Sequence, residues 1–168
     1  LDEAVRELKG EPLRKEEAEI TIDINVSAYI DDSYISSESK KIEMYKKIAA
    51  IRDEQDVMDI EDELMDRYGD IPEPVRNLIE IAHIKAIAAT LGITSVTEKE
   101  DTVIFQMDDA KSVNLQAIVR AAEKYKRRLL FNAGNKPYLS FRLPRGEKET
   151  KLANIKILLQ DLKSFEVQ

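Results

Sequence analysis

The chain has 168 residues, 43% of them apolar, and 26 Lys and Arg against 33 Asp and Glu give a formal net charge of −7. A chain of this length and apolar content can bury a core, which excludes wholesale disorder; the lack of cysteine removes disulfides, thiolate metal sites and thiol nucleophiles and favours a reducing compartment. No apolar run reaches the roughly 18 residues a bilayer crossing needs and the first residues are charged, so a soluble cytoplasmic chain is expected, and its start at Leu1 suggests a piece of a longer polypeptide.

In chain order, Asp2 to Lys9 reads as a helix ended by Gly10, and residues 11–19 as a charged linker. Ile20, Ile22, Ile24 and Val26 alternate with polar residues, the pattern of an extended segment with one buried face. The pairs Tyr29-Ile30 and Tyr34-Ile35 suit an irregular stretch, residues 20–36 in all, pinned to a helical body by large side chains.

Three helices are predicted over residues 37–92. The first presents Ile42, Tyr45, Ile48 and Ala49; the second Val57, Ile60, Leu64 and Tyr68, stopping at Gly69; the third Val75, Leu78, Ile79, Ala82, Ala86 and Ala89, entered through Pro72 and Pro74 and ended by Gly92. Residues 93–168 then change period. Strands 93–97 and 102–106 form a hairpin around the turn 98–101, and a helix capped by Ser112 or Asn114 carries Leu115, Ile118, Val119, Ala122 and Tyr125. Strands 128–132 and 138–143 form a second hairpin, with Leu139, Phe141 and Leu143 inward, and a last helix buries Leu152, Ile155, Leu158, Leu159 and Leu162. The expected fold is α+β: a helical N-terminal part, then β2-α-β2-α with a four-stranded antiparallel sheet packed against helices.

Charge is unevenly divided, −15 over residues 1–110 and +8 over residues 111–168. The acidic excess peaks between Asp53 and Glu73, where ten carboxylates accompany Arg67 alone. Asp56, Asp59, Glu63, Asp66 and Asp70 recur every three or four residues and so fall on one helix face. Without a calcium-loop pattern such a face is either solvated or a dock for a basic partner; metal binding is the remote third option. The basic part offers Lys124, Lys126, Arg127, Arg128, Lys136, Arg142 and Arg145 interleaved with Phe131, Tyr138 and Phe141, which raises nucleic-acid binding as an alternative. Alternation leaves only Tyr138 well placed to stack, so ordinary solubilising charge is the simpler reading.

Catalytic signatures are missing. The five glycines stand singly, so no phosphate-cradling loop exists, and one histidine excludes paired-histidine zinc motifs. His83 reads as a partly exposed helix residue with no role, and Met44, Met58, Met65 and Met107 as gap-fillers.

Residues 28–35 (AYIDDSYI), 45–49 (YKKIA) and 61–72 (EDELMDRYGDIP) together resemble the C-terminal domain of the bacterial transcription-repair coupling factors, over residues 20 to about 163, and residues 1–10 resemble the segment leaving that family's motor module. The resemblance implies a non-enzymatic regulatory domain, residues 20–168, of an ATP-dependent DNA translocase that displaces stalled RNA polymerase and recruits UvrA in DNA repair. ATP and Mg²⁺ would belong to the upstream motor and none to this fragment. It further implies that the domain packs on a UvrB-like N-terminal module and masks the UvrA site through polar contacts of Glu63, Asp66 and Arg67, with Asp59, Asp62 and Asp70 extending the acidic contact.

Overall fold

The computed structural model describes residues 19–108, 114–145 and 150–166. The predicted helix 2–9, residues 11–18 of the linker and the Ser112 cap lie outside the described residues. Element order is β1 (Thr21–Asp23), α1 (Glu38–Ala49), α2 (Glu54–Tyr68), α3 (Glu73–Thr90), β2 (Ile93–Lys99), β3 (Thr102–Met107), α4 (Leu115–Tyr125), a 3₁₀ turn (Lys126–Arg128), β4 (Leu129–Asn132), β5 (Tyr138–Arg142) and α5 (Lys151–Glu166).

Local chemistry accounts for the boundaries. Ser37 caps α1 by accepting from the Lys40 amide, Asp53 caps α2 from the Asp56 amide, and Asn114 caps α4 from the Ala117 amide. Pro72 and Pro74 enter α3 where a missing N–H costs little. Gly69, with φ of +86°, ends α2 in a conformation that side chains disfavour.

The sheet has five strands in the order β1-β2-β3-β5-β4, not four. The two predicted hairpins form, with Val103 opposite Phe141 and Phe105 opposite Leu139 uniting them. The extra strand is the alternating segment at the N-terminus: Thr21, Ile22 and Asp23 pair in parallel with Ser95, Val96 and Thr97. A parallel partner needs a long crossover, and the three helices supply it. Ile20, Ile22, Ile24 and Val26 pack on the sheet core while Thr21, Asp23 and Asn25 stay exposed, as the alternation predicted.

Two cores result. Ile30, Ile35, Met44, Ile48, Val57, Leu64, Val75 and Ile79 belong to a helical core; Ile84, Ala88, Val96, Phe105, Leu139, Phe141, Ile155 and Leu159 belong to a second core between the sheet and α3, α4 and α5. Helix α3 runs from one to the other. Its middle is therefore covered on more than one side, and His83 is buried, at 4% exposure, where the sequence suggested partial exposure.

Other corrections concern helix faces. On α1, Met44 and Ile48 are buried while Ile42 and Ala49 are exposed, so the stripe lies a fraction of a turn from the predicted one. On α4, Ala117, Ile118 and Ala121 are buried while Leu115 and Val119 are exposed. Small residues face inward because α4 packs closely on α5. On α3, Ala82 and Ala88 are buried but Ala86 is half-buried and Ala89 exposed. Met44 and Met107 fill core gaps, whereas Met58 and Met65 are half exposed on α2. The β2–β3 turn is tighter than predicted, with Glu100 at φ of +59°.

Candidate functional site

The motif at residues 61–72 is held from behind. The Tyr34 hydroxyl donates to the Gly69 carbonyl at 2.9 Å and approaches the Leu64 carbonyl at 3.4 Å, and its ring packs on Tyr68 with centroids 5.7 Å apart. Tyr45 extends the anchoring, its hydroxyl accepting from the Ile30 amide at 2.7 Å. The irregular segment is thus pinned by Ile30, Tyr34 and Ile35, while Tyr29, also expected to pin it, is 47% exposed.

The acidic face divides into three groups with different tasks. Asp56 is structural, since its carboxylate accepts from the Arg52 amide at the start of α2. Glu63 is committed inside the domain: Lys47 of α1 donates to both its oxygens at 3.1 and 2.9 Å, and Arg67 donates at 2.9 Å one turn along α2. These cations hold the Glu63 carboxyl below its usual 4.5, Lys47 contributing most. Arg67 also lies over the Tyr68 ring, 5.2 Å from its centroid. Asp62, Asp66 and Asp70 are exposed and have no hydrogen-bond or ion-pair partner among the described residues; Asp59 is exposed and accepts from Gln55 at 2.9 Å.

The resemblance groups Glu63, Asp66 and Arg67 in one contact, and spacing puts Glu63 and Asp66 on a shared helix face. In three dimensions Glu63 bonds Lys47 of α1 and Arg67 bonds Glu63 along α2, while Asp66 is exposed, as are Asp59 and Asp62. The partner that separates them, Lys47, could have been suspected only from its position on an adjacent helix. Glu61 likewise bonds Arg76 of α3 at 3.2 Å. The result is a rigid helix edge whose outer carboxylates are available to cations.

The basic part is less available than its composition suggested. Lys124 pairs with Asp161 at 2.6 Å, and Tyr125 donates to the same carboxylate. Burial and that contact push the Tyr125 hydroxyl upward, far above its ordinary range. Arg128 lies over Phe141 at 5.2 Å and bonds the Arg142 carbonyl at 3.4 Å. Lys126, Arg127 and Arg142 are exposed. Phe141 is 1% exposed and Phe131 packs on the sheet core, so neither offers a stacking surface; Tyr138 is half-buried on the other side of β5.

His83 has a buried Nδ1 without a hydrogen-bond partner among the described residues, 3.8 Å from Glu54. Burial lowers its basicity, with Glu54 opposing. Among the described residues no group of His, Asp and Glu could hold a metal ion, and no helix is long and apolar enough to cross a membrane.

Comparison with known proteins agrees with the sequence resemblance. Residues 24–118 match the model of the TRCF domain. The transcription-repair-coupling factor of Staphylococcus aureus (strain USA300) is 36% identical over 135 residues, covering 79% of this chain and 11% of that protein. Its counterpart in Borreliella burgdorferi is 29% identical over 152 residues, covering 90% and 13%. The chain thus spans only that small share of the curated relatives it matches. A crystal structure of the C-terminal domain of transcription-repair coupling factor superposes with a TM-score of 0.75 at 25% identity, covering 88% of this chain and 94% of that one. By its matched domain, its relatives and its fold, the chain belongs to the TRCF domain family of transcription-repair coupling factors.

Proposed function

We propose that the chain is the regulatory, autoinhibitory domain of a transcription-repair coupling factor. It docks through the outer edge of α2 on the UvrB-like N-terminal module and masks the surface that UvrA uses. The parent is an ATP-driven DNA translocase of the cytoplasm that engages DNA and stalled RNA polymerase, with ATP and Mg²⁺ held by the upstream motor; this domain contributes restraint and no catalysis.

One observation carries the reading: the family motif is anchored from behind by Tyr34, while Asp62 and Asp66 on its outer side have no partner among the described residues. A set of unpaired carboxylates on a rigid edge favours a basic surface and disfavours an acidic one. Glu63 and Arg67 act as positioning groups, with Arg67 at the rim of the contact, and Asp59 and Asp70 extend it.

The energetics suit a switch. Exposed ion pairs are worth about 0 to 1 kcal/mol each, so a few of them close the domain over its partner without making release prohibitive. Shifting such an equilibrium from one state to the other takes about 5.5 kcal/mol of differential binding, which an engaged polymerase can supply.

Charge reversal tests this in the full-length protein. Asp66→Arg combined with Arg67→Asp should raise both UvrA binding and unstimulated ATPase; unchanged values for both would overturn the proposal while leaving the fold assignment intact.

A further inference from the structure

A second charged feature lies in the sheet half, away from α2 and independent of the latch. At the ends of β3 and β5 an open cleft of about 570 Å³ is lined by Asp101, Arg128, Arg142, Leu143, Pro144 and Arg145. Its floor is fixed, because the Leu143 amide donates to the Asp101 carbonyl at 2.7 Å and ties the end of β5 to the β2–β3 turn.

The arginines are held differently. Arg128 sits over the buried Phe141 ring and the half-buried Tyr125 ring, 5.2 and 5.9 Å from their centroids, with its Nε donating to the Arg142 carbonyl. Its two terminal nitrogens have no acceptor among the described residues. Arg142 has no ion-pair partner there either. Arg145 is 89% exposed and reaches Asp101 only at 3.6 Å. Among the described residues three guanidiniums therefore face one carboxylate, and that carboxylate is loosely engaged.

We propose that this cleft docks an acidic segment of a partner protein. A carboxylate seats between Arg128 and Arg142, whose planar forks suit bidentate donation to its two oxygens. A second displaces Asp101 from Arg145, and an apolar side chain lies against Leu143 and Pro144. A protein segment fits better than nucleic acid for two reasons. The rings beside the arginines are already covered by Arg128, so no base can stack on them. The chain's net charge of −7 opposes a long polyanion at range, whereas a short acidic segment needs only the local charge.

The test is fluorescence anisotropy of the whole chain with a short labelled peptide of glutamate and leucine, with a glutamine-and-leucine peptide and duplex DNA as competitors. Arg142 and Arg145 are exposed, so Arg142→Gln and Arg145→Gln leave the fold intact. Each should weaken peptide binding about tenfold, the loss of one charge-assisted pair. Lys46→Gln, on the exposed side of α1, should change it less than about twofold. Neither competitor should displace the peptide. No binding, equal loss in Lys46→Gln, insensitivity to both arginine substitutions, or displacement by DNA would each overturn the proposal.

Discussion

Glu63 and Asp66 are three residues apart in one motif, and their substitution should separate an internal from an external role. The Glu63 side chain is 28% exposed and accepts from Lys47 and Arg67, themselves 41% and 39% exposed. Solvent screens both pairs, so Glu63→Gln should cost about 1 kcal/mol in total. For a domain of this size that is a fall in Tm of about 2–4 °C. Asp66 touches no cation among the described residues and sits near the negative end of the α2 dipole, so Asp66→Asn should be neutral or slightly stabilising, within about 0.5 kcal/mol. The pH dependence adds a second handle. The Glu63 carboxyl is held below its ordinary 4.5 in the folded chain, so its contribution is complete above that value and disappears as pH falls through the lower folded value. Urea unfolding followed by circular dichroism should therefore show wild type and Glu63→Gln separated at neutral pH and converging well below pH 4.5. Binding to the separately prepared UvrB-like module should fall for Asp66→Asn, with its melting curve unchanged. An Asp66→Asn loss of stability equal to that of Glu63→Gln, or a Glu63→Gln difference independent of pH, would refute the division of roles.

Two further outcomes follow from the backbone and the buried histidine. Gly69→Ala should destabilise by about 1–2 kcal/mol from its φ of +86° alone, since a Cβ there meets nothing within 4 Å. Gly134→Ala, equally open and without a left-handed φ, should be neutral or stabilising by up to about 1 kcal/mol; thermal melts giving the reverse order would contradict this. Burial holds His83 below its ordinary 6.5, so the unfolded chain takes up that proton first and stability declines as pH falls below 6.5. His83→Leu should flatten the dependence of the urea midpoint between neutral pH and the folded value, and an unchanged slope would show that other groups cause it.

Where a segment has one possible buried side, the sequence was sufficient. Leu139 and Phe141 alternate with Tyr138, Ser140 and Arg142, and the leucines and Ile155 of α5 leave no rival face; all of these fall where periodicity puts them. Helices α1 and α4 are different, since each carries two apolar stripes compatible with helical spacing. Met44 and Ile48 win over Ile42, and Ala117 and Ala121 over Leu115 and Val119, because neighbouring elements select the side that fits them.

The sequence by itself determined the α+β class, the order of elements, the separation of acidic and basic halves and the motif that marks the family. Those properties are local: they depend on residues within a few positions of one another. Only the tertiary structure decided that β1 joins the sheet in parallel across a crossover of three helices, that His83 is sealed where two cores meet, and that Glu63 turns inward to Lys47 while Asp66 stays exposed. Each depends on a partner remote in the chain, and periodicity carries no information about which remote surface a face will meet.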